Sequence, residues 1–289
     1  MKIKIGTRRS ALAMAQTEMT VKKIKESFPE TDIEIVPKAT YGDIASDTPL
    51  SQLGGRGAFV SEIERLLIQG DIDIAVHSAK DLPVQLAEGT AVGAVLERGN
   101  PRDVLVMRKG TAPEDFHDRS FIIGTGSQRR RAGFGQIYNN AEFRELRGNV
   151  GTRLAKLEAG EYDGIILAAA GLERLGLMND SRFVFTELPA EKLLSAPCQG
   201  IIAVQCRKGG KCERLLNEVN HQETFFCFET ERHFLKLINA GCNIPAGAFS
   251  QISGENISLT ITADSVKHFS GTSYIGERFS LAERLVEQL

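Results

Sequence analysis

Ile72-Asp73-Ile74-Ala75-Val76-His77-Ser78-Ala79-Lys80-Asp81-Leu82-Pro83 sets a short apolar, β-branched run directly against a polar cluster, with Gly70 before it and Pro83 at its end. Ile72, Ile74 and Val76 predict a strand of a covered sheet. Pro83 cannot donate to a ladder and stops it. Open α/β sheets bind ligands just beyond the carboxyl ends of their strands, so His77, Ser78, Lys80 and Asp81 mark the expected address of a site. Taken alone, Lys80 beside Asp81 is a solvated ion pair on a turn. The pattern on both sides gives it more weight.

Upstream, residues 2–6 alternate as a first strand, and Thr7-Arg8-Arg9-Ser10 follows as a polar turn. Ser10 is placed to cap a helix running to about Phe28. Thr17, Val21, Ile24 and Phe28 form one stripe of that helix and Leu12, Ala15 and Met19 another, which predicts burial nearly all round its first half. Ile33, Ile35 and Val36 make the next strand. Residues 41–57 are rich in Gly, Ser, Asp and Pro and end in Gly54-Gly55-Arg56-Gly57, the composition of a lid or binding loop. A short helix from Phe59 to Gln69 leads into the opening strand, and Val92–Leu96 is another strand.

Glu97-Arg98-Gly99-Asn100-Pro101 is a polar break, after which the alternation starts again. Strands are expected at 104–107, 121–123, 143–146 and 164–170, and helices from Gln128 and over 150–159. Residues 200–206 form an apolar strand after Pro197 that returns to the first domain, giving two crossings of the kind found in clamshell proteins. A helix over 222–239, alternating strands around Ile257, Leu259 and Ile261, and a last helix over 281–289 complete the chain. The fold class read from this order is α/β: two doubly wound clamshell domains, periplasmic-binding-protein-like, plus a small α+β C-terminal domain. The expected division is 1–98 with 195–217, then 99–194, then 218–289.

The 289 residues carry a net charge of −2 with 42% hydrophobic and 25% charged residues, an ordinary globular balance that opposes a general nucleic-acid binder. The start, Met1-Lys2-Ile3-Lys4-Ile5-Gly6, has no long apolar run, so neither an export signal nor a membrane span is expected. Five cysteines without a Cys-x-x-Cys pair fit reduced thiols, with the cytoplasm as compartment. The histidines are scattered with no ligand spacing, so no metal is expected.

Arginine gathers at apparent loop and helix starts, among them Arg8, Arg56, Arg129, Arg130, Arg147, Arg153 and Arg174. Arg grips carboxylates and phosphates in planar, bidentate fashion. Gly124-Thr125-Gly126-Ser127-Gln128-Arg129-Arg130 joins a strand to a helix start and offers N–H groups, hydroxyls and guanidinium groups to an anion. Leu146 to Arg153 offers a second such turn. Arg9, Arg131 and Arg144 read as solubilising surface charges. Cys206, Cys212 and Cys227 read as small apolar fillers, whereas Cys242, between Gly241 and Asn243, belongs to a loop.

The chain resembles the porphobilinogen deaminase (hydroxymethylbilane synthase) family over nearly its whole length. The resemblance is carried by Gly6-Thr7-Arg8-Arg9-Ser10, Gly54-Gly55-Arg56-Gly57, Ala75 to Pro83, Arg147-Gly148-Asn149-Val150-Gly151-Thr152-Arg153, Ala169 to Gly176 and Gly241-Cys242-Asn243-Ile244-Pro245. It implies a transferase of tetrapyrrole, porphyrin and heme biosynthesis that joins four porphobilinogens head to tail with loss of ammonia. It also implies a dipyrromethane cofactor held by a thioether on Cys242, and a monomer acting on a small molecule without nucleic acid or membrane. The family's catalytic aspartate falls on Asp81. Its cofactor-binding residues fall on Lys80, Ser127, Arg129, Arg130, Arg147 and Arg153, its substrate-binding residues on Arg8, Ser10 and Arg174, and a lid arginine on Arg56. The chemistry agrees: acetate and propionate groups accumulate as the chain grows and call for many Arg residues, and one carboxylate can stabilise the cation left by loss of ammonia.

Four positions depart from the family pattern. Gln52 and Arg56 stand where lysines are common, Gly126 where serine is common, and Cys198 where glycine is frequent. A rival of another class, a non-catalytic clamshell receptor for an anionic small ligand, shares the first two domains but gives Cys242 no task.

Overall fold

The computed structural model describes residues 1–38, 58–116, 120–239 and 244–289. Two compact units emerge, Met1–Gly99 with Gly200–Phe228, and Asn100–Gln199 with Glu229–Leu289. The expected lid over 41–57 and the loop carrying Cys242 lie outside the described residues.

The first unit is built on a five-stranded sheet. Its strands are β1 (Lys2–Arg8), β2 (Asp32–Lys38), β3 (Ile74–Ser78), β4 (Thr90–Val95) and, from far along the chain, Ile202–Arg207; the order is β2-β1-β3-(202–207)-β4. β1 is parallel to β2 and β3, whereas the 202–207 strand runs antiparallel to both its neighbours. The alternation Lys2-Ile3-Lys4-Ile5 does what its period demands: Ile3 and Ile5 are fully buried. Helix α1 (Ala11–Ser27) covers one face, and α2 (Ala58–Gln69) covers the other with Ile63, Leu66 and Leu67.

Ser10 caps α1, its Oγ accepting from the Ala13 N–H at 3.3 Å. The expected all-round burial of α1 is corrected. Gln16, Thr17, Thr20 and Ile24 are buried, but Met19 is 42% exposed. The helix lies against a single sheet face, so only one stripe finds a partner.

The second unit repeats this strand order with a different sequence. β5 (Asp103–Arg108), β6 (Phe121–Gly124), β7 (Ala141–Arg144), β8 (Gly164–Ala168) and β9 (Phe183–Glu187) are arranged β7-β6-β8-β5-β9. β6 is parallel to β7 and β8, and β5 is antiparallel to β8 and β9. In each sheet the antiparallel strand is the one entered directly from a crossing. The strand over 202–207 is β10. The expected strand 164–170 ends at Ala168, because Ala169-Ala170 opens a helix, for which alanine has the highest propensity.

Helices α3 (Gln128–Ile137), α4 (Val150–Glu158) and α5 (Ala169–Arg174) follow β6, β7 and β8 in turn. After β10 come α6 (Glu213–Val219), absent from the sequence reading, and α7 (Gln222–Leu237). Strands β11 (Gly247–Ser253), β12 (Asn256–Thr262) and β13 (Phe269–Tyr274) make an antiparallel sheet backed by α8 (Arg278–Val286). Ile257, Leu259 and Ile261 are buried, as are Leu281, Ala282 and Leu285 of the helix.

The crossing at 195–199 is fixed by buried polar groups. Glu231 is fully buried, and its carboxylate accepts from the Cys198 N–H at 2.5 Å and from the Ser250 N–H and Oγ at 2.8 Å each. Cys198 has φ 61°, a left-handed conformation that favours glycine.

Candidate active site

In the first unit the parallel register Ile5↔Ile74 and Gly6↔Ala75 brings the carboxyl ends of β1 and β3 side by side. Arg8 and Ser10 therefore share one sheet edge with Ser78, Lys80 and Asp81. Asp81 ends a single 3-10 turn, Ala79–Asp81, and is half-buried. The turn is anchored on both sides: Ala79 and Leu82 are buried, and the Ala79 N–H donates to Ile201 O at 3.0 Å. The Gln16 amide and Ser78 Oγ exchange hydrogen bonds of 2.9 and 3.1 Å, tying α1 to the end of β3. Asp81 thus sits on a short, doubly anchored turn.

His77, the last inward-facing residue before that turn, is a group the sequence reading noted without a task. Its Nε2 is buried with no hydrogen-bond partner, and burial lowers its pKa to about 4, opposed by Gln205 and by the charge of Asp81. Gln205 is held from the other side, its Nε2 donating to Glu64 Oε1 at 2.7 Å and to Thr90 Oγ1 at 2.8 Å. The imidazole next to Asp81 is consequently neutral at neutral pH.

In the second unit three parallel strands, β6, β7 and β8, deliver the remaining candidates to one edge. After β6, Ser127 caps α3, its Oγ accepting from the Arg130 N–H at 3.4 Å. After β7, Asn149 caps α4, its Oδ1 accepting from the Thr152 N–H at 3.0 Å; Arg147 and Arg153 flank this start. The Arg153 Nε donates to Gly148 O at 2.8 Å, and the Arg147 Nε lies 3.2 Å from Glu145 Oε1. After β8, Arg174 closes α5; burial lowers its pKa to about 10, opposed by Glu173, and it stays charged at neutral pH.

Arg129 and Arg130 belong to the first turn of α3 and are turned inward. Arg130 donates from Nε and Nη2 to Asp103 Oδ1 at 3.1 and 2.8 Å and from Nη1 to Ile166 O at 2.7 Å. The Arg129 Nη1 lies 2.7 Å from Asp103 Oδ2 and donates to Leu194 O at 2.7 Å. The sequence reading missed Asp103; an aspartate opening an apolar strand carries no signal until the sheet places β5 beside β8. Arg131, read as a solvated surface charge, is instead held by Thr125 O and Glu145.

Cys198, Cys206, Cys212 and Cys227 are buried, and burial pushes the Cys212 thiol up to about 11. Cys242 and Arg56 lie outside the described residues.

An anionic, many-carboxylate ligand is what such a donor set suits. Residues 3–214 match the family model "Porphobilinogen deaminase, dipyromethane cofactor binding domain", and residues 225–269 match "Porphobilinogen deaminase, C-terminal domain". The chain belongs to the porphobilinogen deaminase family. A porphobilinogen deaminase of Listeria welshimeri is 41% identical over 257 residues, covering 89% of this chain and 83% of the relative. One of Streptococcus sanguinis is 42% identical over 258 residues, covering 89% and 84%. Among solved structures, the VFT2 domain of Bordetella pertussis BvgS aligns with 13% identity and a TM-score of 0.47 over 79% of this chain and 92% of that domain. The porphobilinogen deaminase signature thus spans the edges of both sheets and continues beyond α7. Among the described residues, no helix is long and apolar enough to cross a membrane.

Proposed function

We propose that this chain condenses four porphobilinogens head to tail into hydroxymethylbilane with release of ammonia, as a transferase of tetrapyrrole biosynthesis. The observation that carries the reading is the match to the family's cofactor-binding domain over residues 3–214. The donor set fits the dipyrromethane group: its acetates and propionates are carboxylates, and Ser127, Arg147, Arg153 and Arg174 offer hydroxyl and guanidinium donors from one sheet edge. Lys80 offers a cation at the end of β3. Cys242 would hold the group by a thioether, and when bound the group supplies the pyrrole carbon on which the product chain starts.

The roles of this chain's residues follow from their chemistry. Asp81, fixed on its turn, presents a carboxylate to the substrate cation left by loss of ammonia and is placed to move a proton at the reacting carbon. Arg8, Ser10 and Arg174 bind substrate carboxylates, and Arg56 contributes from the lid. Arg129 and Arg130 stay in the cofactor-binding set, with Asp103 fixing their orientation. The division into 1–98 with 195–217, 99–194 and 218–289 assigns the catalytic carboxylate, the arginine-rich edge and the cysteine loop to separate domains. The enzyme is a cytoplasmic monomer that uses neither nucleic acid nor metal.

Intact-mass measurement tests the reading against the receptor alternative. The active protein should carry a covalent addition the size of a dipyrromethane, lost in Cys242→Ala while the chain stays folded. An active protein without the adduct, or an adduct mapped to Cys198, Cys206, Cys212 or Cys227, overturns it.

A further inference from the structure

Glu145 stands one residue beyond β7, and each of its carboxylate oxygens faces a different arginine. Oε1 lies 3.2 Å from Arg147 Nε, and Oε2 lies 3.2 Å from Arg131 Nη2. Its position is fixed from behind. The Tyr162 hydroxyl donates to the Glu145 backbone carbonyl at 2.8 Å, and Arg131 also donates to Thr125 O from Nε and Nη2 at 3.3 and 3.1 Å. The carboxylate therefore links the first turn of α3 to the loop after β7.

Gly126 makes the room for this. A Cβ at that position would lie 2.9 Å from Glu145 Oε1 and 3.4 Å from its Cδ. Since the clash is with the far end of a flexible side chain, serine at 126 would shift the carboxylate from this pose without disturbing the backbone. The missing side chain at Gly126 and the bridging pose of Glu145 are thus one feature.

We propose that Glu145 is a tethered competitor for Arg147 that makes this anion seat selective for polycarboxylate ligands over small free anions. The inference rests on the reading that Arg147 grips a ligand carboxylate. A carboxylate held on the chain acts at a high effective concentration, so a free phosphate or bicarbonate ion must outcompete it at every visit. A ligand anchored by several carboxylates along the same edge brings its own effective concentration and can displace Glu145 from the guanidinium fork. The exchange is carboxylate for carboxylate, so the charge around Arg147 is unchanged by it. Glu145 is 47% exposed, so water and salt screen the pair and limit the effect to a modest factor.

The test is inhibition by inorganic phosphate, at constant ionic strength, of covalent adduct formation when porphobilinogen is added to the full-length protein before its cofactor is assembled, read by intact mass. Glu145→Gln keeps the shape and removes the charge, and it should lower the half-inhibitory phosphate concentration by roughly three- to ten-fold while adduct formation without phosphate stays within about two-fold. Gly126→Ser should do the same by displacement, and Arg147→Leu placed on Glu145→Gln should erase the gain. Equal phosphate sensitivity in the wild type, Glu145→Gln and Gly126→Ser overturns the proposal, as does a gain that persists without Arg147. Normal chain extension in Arg147→Leu alone would instead remove the site reading on which the proposal stands.

Discussion

The Asp103 carboxylate and the Arg130 guanidinium are locked together by two hydrogen bonds to one oxygen, Oδ1, at 3.1 and 2.8 Å. The other oxygen lies 2.7 Å from the Arg129 Nη1, and the Gln199 amide adds a third donor to Oδ1 at 3.1 Å. All of this is buried: Asp103 is 1% exposed and the two arginines 5% and 7%. One carboxylate thus balances two guanidinium groups at the start of β5 and reaches the second crossing through Gln199, whose amide also donates to Pro101 O at 2.6 Å. Asp103→Asn leaves two buried cations without their counter-charge. Breaking a buried pair in this way costs about 3–5 kcal/mol, so thermal unfolding should shift down by roughly 10 °C. A melting temperature within about 2 °C of wild type, measured by calorimetry, would show that the arginines are held by other groups.

How much of this was legible in the sequence depends on the range of the cause. Local causes were readable: the Ser10 cap, the alternation of Lys2 to Ile5, and the polar ends of β3 and β6 are each set by residues within a few positions. The mixed direction of both sheets was not readable, because an apolar run such as Ile202–Cys206 looks the same in parallel and antiparallel ladders. Neither were the internal duties of Arg129, Arg130 and Arg131. Guanidinium groups at a helix start signal an anion, but whether it is Asp103, Glu145 or a ligand is decided by residues 14 to 27 positions away.

Gly200 should tolerate no side chain. Its φ is +87°, and a Cβ would lie 2.5 Å from Gly99 O, a backbone atom that also belongs to a crossing. Gly200→Ala combines left-handed strain with a clash against main chain, together about 3 kcal/mol or more in urea unfolding. Gly209→Ala is the control, since Gly209 has φ +66° with nothing within 4 Å of the added Cβ. It should cost only about 1 kcal/mol. Equal costs at the two positions would mean that the backbone at Gly99 yields to the added Cβ.

His77 makes stability depend on mildly acidic pH. Its pKa falls from 6.5 in the unfolded chain to about 4 in the fold, because burial opposes the charged imidazolium. The unfolded state therefore binds the proton first. Full stability is present above pH 6.5 and is lost progressively as pH falls towards 4, by about 3 kcal/mol across that window. Burial lowers the pKa of His268 as well, in the same sense. Urea unfolding of His77→Gln should show a flatter pH dependence than wild type between those limits, and identical slopes would mean that His77 is solvated.

Asp81 is the residue proposed to carry the chemistry. Its turn is fixed independently of its own side chain, by the Ala79 N–H on Ile201 O and by buried Leu82, so replacing the carboxylate should leave the backbone where it is. Asp81→Asn is nearly isosteric and removes one thing, the negative charge proposed to stabilise the substrate cation. Next to it His77 is neutral and cannot supply a compensating anion, and Lys80 carries the wrong sign. Loss of a preorganised charge partner in a transition state typically slows turnover by about 10²–10³-fold. The variant should therefore melt like wild type, carry the same covalent adduct by intact mass, and lose at least about 100-fold in kcat. On the proposed role the loss should appear in kcat more than in KM. Turnover within a few-fold of wild type, on the order of 1 kcal/mol in barrier, would remove Asp81 from the catalytic role.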